Sequence, residues 1–358
     1  MHEHSSTFLS GEQERAVAAI DQFMVDRRRS AFALHGLAGT GKTTVLAHIA
    51  GQYKHAALCT LTGKAASNLR RRFGLPAQTI HSFFYSLIEA ERGKFGRKTL
   101  AFERVHEHDE LHGDLVLLDE CSMVNDALAQ DLLRTGIKLI VTGDPGQLPP
   151  VTGQQHFTRA DFTLTEIHRQ ALDSPIIRQA HRVRNGLRYE ADGPDFRVQI
   201  DGTDDDLRAA DVVLCWTNRT RAVVNQKCCA VRGFWQPNPQ PGEPLVCLRN
   251  APQYGIFNGG VYRLLEPFSV GDRNIRIDVD GTPTTIPIVR FEGVESALPD
   301  TVEPTTSFAF GYCMTVHKAQ GSEWDSVILI DEYRKVECRR EWLYTGITRA
   351  KQRILVTG

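Results

Sequence analysis

Eight residues, Gly36-Leu37-Ala38-Gly39-Thr40-Gly41-Lys42-Thr43, leave the surrounding chain few ways to fold. They follow the apolar run Ala31-Phe32-Ala33-Leu34 and precede a helix-forming stretch over residues 44–50, an order of strand, loop and helix. In that order the glycines let backbone N–H groups turn toward phosphate oxygens, and the helix N-terminus adds partial positive charge. Lys42 is long enough to reach the β- and γ-phosphates of a nucleotide, and the Thr43 hydroxyl suits Mg²⁺. Gly36, Gly39, Thr40, Gly41, Lys42, Thr43 and Thr44 are therefore candidate nucleotide-binding residues. A Gly-rich turn with no ligand is the plain alternative, and the strand before it and the helix after it weigh against that.

A second feature agrees. Leu115-Val116-Leu117-Leu118 is an apolar strand that runs into Asp119-Glu120. Packing gives a buried strand no reason to end in two carboxylates. Beside a phosphate loop, one acid at a strand's C-terminal end can hold the Mg²⁺ shell while its neighbour orients and deprotonates the attacking water. Asp119 fits the first role and Glu120 the second, with a solvated Asp-Glu turn as the alternative. A base at Glu120 would separate hydrolysis from mere binding.

The 358 residues suggest two or three domains and a large core. With 42 basic and 43 acidic residues the net charge is −1, so any nucleic-acid contact must be a local groove. The eight cysteines include no Cys-x-x-Cys pair and mostly lie in or beside apolar runs, as reduced core thiols do. There is no secretory signal and no apolar run near roughly 18 residues, which points to the cytoplasm and away from a membrane. His106, His108 and His112, near Glu107 and Glu110, lack a Cys partner or a helix face and read as a polar loop.

Alternating signals set the organisation. Strand-like runs at residues 31–34, 56–59, 115–118 and 139–142 alternate with helical stretches, which predicts an α/β fold with a doubly wound parallel sheet. Near Ile167 the pattern gives way to a helix over residues 174–186. After a polar Asp/Gly-rich stretch, a second α/β set begins with Asp211-Val212-Val213-Leu214-Cys215-Trp216 and a helix over residues 220–231. Gln236-Pro237-Asn238-Pro239-Gln240-Pro241-Gly242-Glu243-Pro244 interrupts it, and short alternating runs around Val246 and over residues 261–265, 275–279 and 286–291 resemble a small β-barrel. The α/β pattern resumes at Met314, with strands over residues 327–330 and 354–356 around one more helix. The expected boundaries are 1–165 for the first α/β domain, 166–235 for the start of the second, 236–308 for the barrel insertion and 309–358 for the remainder.

Polar motifs fall at the ends of these elements. Gly143-Asp144-Pro145-Gly146-Gln147-Leu148-Pro149-Pro150 follows a strand and places Gln147 where it could touch a γ-phosphate, although the same residues would also make a simple turn. Arg169 and Arg349 each end a polar segment, and a site shared by two α/β domains needs such cations to neutralise charge on a transferring phosphoryl group. Either could alone be a surface ion pair.

The ordered motifs now resemble a family. They are Gly11-Glu12-Gln13, the phosphate loop, Thr62-Gly63-Lys64-Ala65-Ala66, Thr79-Ile80-His81-Ser82, Leu118-Asp119-Glu120, Gly143-Asp144-Pro145 with Gln147-Leu148-Pro149, and Leu164-Thr165-Glu166 with Arg169. Thr217-Asn218, Thr315-Val316-His317-Lys318-Ala319-Gln320-Gly321 and Thr348-Arg349-Ala350 continue the series. Together, from Gly11 to the C-terminus, they resemble superfamily 1 helicases, most closely the RecD-like and phage Dda-like branch.

The resemblance implies two RecA-like motor domains that hydrolyse ATP, move 5′ to 3′ on single-stranded DNA and separate duplex, the work of DNA replication, repair and recombination. It implies that Gln13 reads the adenine, that Lys42, Thr43 and the loop hold the phosphates and Mg²⁺, and that Asp119 and Glu120 serve the metal and the water. Gln147, Arg169, Gln320 and Arg349 would sense the γ-phosphate, with Gly321 beside them in the nucleotide site. DNA contacts map to Lys64, Thr79, His81, Asn218, Thr315, His317 and Lys318, hydroxyls, amides and a few cations that suit a sugar-phosphate track.

Relatives insert a duplex-splitting hairpin where this chain has the short, charged segment 84–113, with Phe95 and Phe102 as its aromatic wedge candidates, in DNA contact on that reading. Asn258-Gly259-Gly260 matches the turn into the family's SH3-like barrel. Starting just before Gln13 and ending nine residues after Arg349 (358 − 349), the chain reads as a minimal, monomeric motor acting on single-stranded and tailed duplex DNA, with replication or recombination proteins as partners. Two alternatives stay open: a motor on RNA as well as DNA, since backbone contacts need not exclude a 2′-hydroxyl, and a motor-like DNA-binding subunit of a nuclease or recombination complex.

Overall fold

The computed structural model describes residues 9–53, 55–89, 100–104, 115–150, 153–167, 173–234, 238–269, 272–279, 281–292, 304–333 and 337–358. Of the residues singled out above, Phe95, His106, Glu107, His108, Glu110, His112, Arg169, Gln236 and Pro237 lie outside these segments. The chain divides into two units, Met1–Leu61 with Ala65–Ala171, and Thr62–Lys64 with Leu172–Gly358.

In the first unit the strands are Ala31–Gly36 (β1), Ala56–Thr60 (β2), Ala77–Thr79 (β3), Tyr85–Glu89 (β4), Leu100–Arg104 (β5), Leu115–Asp119 (β6), Lys138–Gly143 (β7) and Phe162–Leu164 (β8). Six of them form one sheet in the order β3-β2-β6-β7-β1-β8, every pair parallel. A parallel sheet must be covered on both faces, and β6 shows how the sequence meets this need. Leu115 and Leu117 pack with Ile20, Phe23, Leu46 and Ile49 from the helices Gly11–Val25 and Lys42–Gln52. Val116 and Leu118 point the other way, into a second core with Ala129 and Leu132 of the helix Asp126–Arg134. Period-two alternation in a fully apolar strand thus feeds two cores. Strands β4 and β5, within the expected insertion, pair antiparallel as a separate ribbon.

The second unit contains Phe196–Gln199 (β9), Val212–Cys215 (β10), Pro244–Cys247 (β11), Val261–Leu264 (β12), Ile275–Val279 (β13), Thr282–Ile286 (β14), Val289–Phe291 (β15), Thr306–Phe310 (β16), Cys313–Thr315 (β17), Trp324–Ile330 (β18) and Ala350–Thr357 (β19). Five make a second parallel sheet, β17-β10-β18-β19-β9. Strands β11–β16 form a sheet of order β14-β13-β12-β11-β16-β15, antiparallel except for the β15–β16 pair, over a core that includes Leu245, Ile277, Ile286 and Phe308.

One stretch departs from expectation. The polar segment ahead of Asp211 holds an edge strand, β9, and the helix Asp204–Ala209. Only Phe196 of that strand is buried, so its apolar signal is weak. The three aspartates that make the segment polar fill the first turn of a helix capped by Thr203, where negative charge meets the helix dipole favourably.

Candidate functional site

The phosphate loop leaves β1 at the C-terminal edge of the first sheet. Gly41 is left-handed, φ 80°, ψ 25°, and turns the chain directly into the helix Lys42–Gln52. A Cβ on Gly36 would overlap the Thr40 hydroxyl and press on Leu164 at the end of β8. Thr40 Oγ1 donates to Leu37 O at 2.9 Å, which closes the loop, and Thr44 N donates to Gly41 O at 3.0 Å as the helix begins. The Lys42 ammonium lies across the loop, donating to the carbonyls of Gly36 at 2.8 Å and Leu37 at 2.9 Å. Gln13 braces the same loop: its Nε2 donates to Thr40 O at 3.3 Å, and its Oε1 accepts from Ser10 N at 3.0 Å in a capping box.

Asp119 ends β6 beside this loop and is buried. Its Oδ2 accepts from Thr43 Oγ1 at 3.2 Å, and its Oδ1 accepts from Thr142 Oγ1 and from Glu120 N, the latter at 3.0 Å. A hydroxyl and a carboxylate oxygen converging in this way form an oxygen pair suited to a hard divalent cation such as Mg²⁺. Glu120 itself is left-handed, φ 60°, ψ 53°, a conformation that costs an L-residue about 1–2 kcal/mol and is characteristic of functional positions. It opens the single turn Cys121–Met123, where Ser122 Oγ donates to Gln147 Oε1 at 3.4 Å. Burial pushes the Cys121 thiol up to about 12, so beside the two acids it stays neutral. Gln147 is held from the other side by the turn after β7, where Gly146 N donates to the buried Asp144 carboxylate at 2.8 Å. The structure therefore gathers Gln13, the loop, Asp119, Glu120 and Gln147 at one sheet edge.

The remaining first-unit positions are more dispersed. Thr79 ends β3 opposite Thr60 of β2, and His81 lies in the short helix Ile80–Phe84. Phe102 sits in β5 opposite Leu87 of β4, and Lys64, which groups with the second unit, stands in the first turn of the helix Gly63–Phe73.

In the second unit β10 and β17 run side by side, with Cys215 opposite Thr315, so their ends put Asn218 and Thr315 along one edge. Asn218 is exposed at the start of the helix Asn218–Val231, and its Oδ1 accepts from Arg221 Nε at 3.2 Å. His317 and Lys318 follow in the turn Val316–Ala319. Burial holds His317 below its ordinary range, and burial together with the Arg221 cation does the same for Lys318. Gln320 is buried just after that turn, with the left-handed Gly321 next to it. Arg349 is buried too, and its guanidinium donates to Thr345 O at 3.0 Å, Ser322 O at 3.3 Å and Thr348 Oγ1 at 3.2 Å.

Four supporting residues escaped the sequence reading. Thr142 grips Asp119, and Glu12 accepts from Thr165 N at 2.9 Å, Glu166 N at 2.7 Å and Thr165 Oγ1 at 2.8 Å. Burial would raise the Glu12 carboxyl, yet these donors hold it below the ordinary carboxylate range. Asn225 brackets Cys313, donating to its carbonyl at 3.1 Å and accepting from its N–H at 2.9 Å, and Glu332 holds the turn before Asn218. A hydroxyl inside the apolar run of β7 and an acid next to Gln13 were the only sequence signals for the first two.

Comparison with known proteins places this geometry. The model of an AAA domain matches residues 8–193, just over half the chain, and that of a UvrD-like helicase C-terminal domain matches residues 310–357. The ATP-dependent RecD2 DNA helicase of Deinococcus radiodurans is 28% identical, the match covering 97% of this chain and 49% of RecD2. The RecBCD enzyme subunit RecD of Mycobacterium tuberculosis is 25% identical, over 91% of this chain and 66% of RecD. The chain thus spans about half to two thirds of the length of these relatives. The crystal structure of Bacteroides Pif1 bound to single-stranded DNA shares the fold with a TM-score of 0.66 at 19% identity, covering 99% of this chain and 93% of Pif1. Among the described residues, no helix is long and apolar enough to cross a membrane.

Proposed function

Because the chain belongs to the AAA-domain family and is a superfamily 1 helicase of the RecD-like and Pif1-like kind, we propose that it hydrolyses ATP to move 5′ to 3′ along single-stranded DNA and to separate duplex ahead of it. The observation that carries this proposal is the contact of Thr43 with Asp119 beside the strained Glu120. Thr43 and Asp119 would hold Mg²⁺, which when bound neutralises charge on the β- and γ-phosphates. Lys42 would exchange its loop carbonyls for phosphate oxygens, and Glu120 would take the proton of the attacking water. On the same reading Gln13 reads the base, while Gln147, Arg169, Gln320 and Arg349 counter the charge that develops at the γ-phosphate.

Single-stranded DNA is supported as the track by the residue types at Lys64, Thr79, His81, Asn218, Thr315, His317 and Lys318, and by similarity to a DNA helicase, RecD2, and to Pif1 bound to single-stranded DNA. The β4–β5 ribbon is our candidate for the duplex-splitting element, with Phe102 on it and Phe95 in the same insertion. Strand displacement on 5′-tailed, 3′-tailed and RNA-tailed duplexes tests the proposal. Unwinding of the 5′-tailed DNA alone is expected, lost in Glu120→Gln. Preference for the 3′ tail would reverse the polarity, and equal use of an RNA tail would favour a dual-substrate motor.

A further inference from the structure

Glu332 belongs to none of the motifs named above, yet its carboxylate accepts three hydrogen bonds near the proposed DNA track. It lies two residues past β18, which pairs with β10. Its Oε1 accepts from the backbone N–H groups of Trp216 at 2.7 Å and Thr217 at 3.0 Å, and its Oε2 accepts from Thr220 Oγ1 at 2.5 Å. Thr217 caps the helix Asn218–Val231, its hydroxyl accepting from Thr220 N at 3.0 Å. One carboxylate thus ties both donors of the strand-to-helix turn and the hydroxyl that backs the cap. The residue that follows this turn is the exposed Asn218.

We propose that Glu332 is a positioning residue for single-stranded DNA, fixing the turn after β10 so that Asn218 stands beside Thr315. The inference rests on the DNA-motor reading given above. Its physical basis is the strength of charge-assisted bonds and the penalty for leaving half-buried backbone donors unsatisfied. Without the carboxylate, the N–H groups of Trp216 and Thr217 must turn toward water, and the helix start turns with them. A direct role in binding is unsuited to Glu332, because a carboxylate repels the phosphodiester backbone. If repulsion were all it contributed, its removal would tighten binding.

The test measures affinity for a fluorescein-labelled oligothymidine together with the kcat and half-saturating DNA concentration of ATP hydrolysis, with Tm alongside. Glu332→Ala is expected to weaken DNA binding about tenfold, with a matching rise in half-saturating DNA and kcat at saturating DNA within about twofold. Glu332→Gln keeps a carbonyl oxygen for both N–H groups and an amide for Thr220, and should restore affinity to within about threefold of wild type. Glu332→Ala/Asn218→Ala should bind no more weakly than Asn218→Ala alone, a non-additivity expected only if Glu332 acts through Asn218. Thr220→Val removes one of the three bonds and covers the case in which Glu332→Ala does not fold, with a loss of about twofold to threefold. Unchanged or tighter binding by both Glu332→Ala and Thr220→Val overturns the inference, as does a parallel fall of kcat, affinity and Tm. A wild-type chain that binds no single-stranded DNA would instead remove the motor reading beneath it.

Discussion

The two units hold their functional side chains in different ways. In the first, the motif residues bond to one another: Thr43 to Asp119, Gln13 to Thr40, and Glu120 to Asp119 through its N–H. In the second, the buried Thr315 and the exposed Asn218 are set from outside, Thr315 through the Asn225 bracket on Cys313 and Asn218 through Glu332 and Arg221. Chemistry explains the contrast. Hydrolysis requires metal, water and phosphate to be held to within about half an ångström of their productive geometry, which direct contacts enforce. A track for a repeating sugar-phosphate chain tolerates more, and can be aligned by braces that never touch the ligand.

The contrast predicts that single substitutions in the first network are the most damaging to turnover. Glu120→Gln should lower the DNA-stimulated kcat by about 10³-fold or more with little change in Mg·ATP affinity, since an amide cannot take the proton of the attacking water. Lys42→Ala should lose affinity as well. A Glu120→Gln protein that turns over ATP at the wild-type rate on saturating single strand would put the general base elsewhere.

Arg349 could show that the contrast is drawn too sharply. It is buried in the second unit and bonded to carbonyls and a hydroxyl there, and a role at the γ-phosphate is our proposal for it. If it acts on the transition state, Arg349→Ala should slow hydrolysis by about 10³-fold while ATP affinity changes far less. An unchanged kcat would confine the chemistry to the first unit and leave Arg349 as a brace for the Ser322 turn.

Much of the fold and site was legible because period and chemistry coincided. Strands β1, β2, β6 and β7 announced themselves as apolar runs, and the loop and Asp119-Glu120 marked the sheet edge where they meet. The rest was hidden for identifiable reasons. Strand β9 buries one residue only, so its pattern resembles a loop. Asn225 and Glu332 are single polar residues whose partners are backbone groups 88 and 115–116 positions away, a relation that no local periodicity encodes. The thiols were read well as a class, since all eight are free and all but Cys338 are buried.

Asn225 tests the brace idea with a smaller effect. It is buried and uses both ends of its amide on Cys313, at the outer strand of the second parallel sheet. Asn225→Ala should destabilise the protein by about 2 kcal/mol in urea or thermal melts, since two backbone groups lose their partners. DNA affinity should fall by a few fold while ATP affinity holds. A stability loss with wild-type DNA affinity would separate the brace from the track and leave Thr315 correctly set by β10 alone.

The smallest effect compares one histidine in each unit, the buried His35 and the half-buried His317. His35 lies in β1 directly before the loop, and burial and the Lys42 cation lower its affinity for a proton against the opposing pull of the Phe157 backbone, Asp144 and Asp161. His317 is lowered by burial alone. In both cases the unfolded chain takes up the proton at a higher pH than the folded chain does, so the associated stability is complete above the ordinary value of 6.5 and is lost as pH falls through the lowered folded value. Wild-type Tm should therefore fall by about 3–5 °C between pH 7.5 and 5.5, before protonation of the carboxylates adds to the loss. His35→Asn keeps a donor for the Phe157 backbone but cannot titrate there, and should remove part of that slope, as should His317→Asn. Because the histidines stand in separate units, the two reductions should add in the double variant. A slope of wild-type size in the double variant would place the acid sensitivity in other groups and leave these histidines as neutral packing in either pH range.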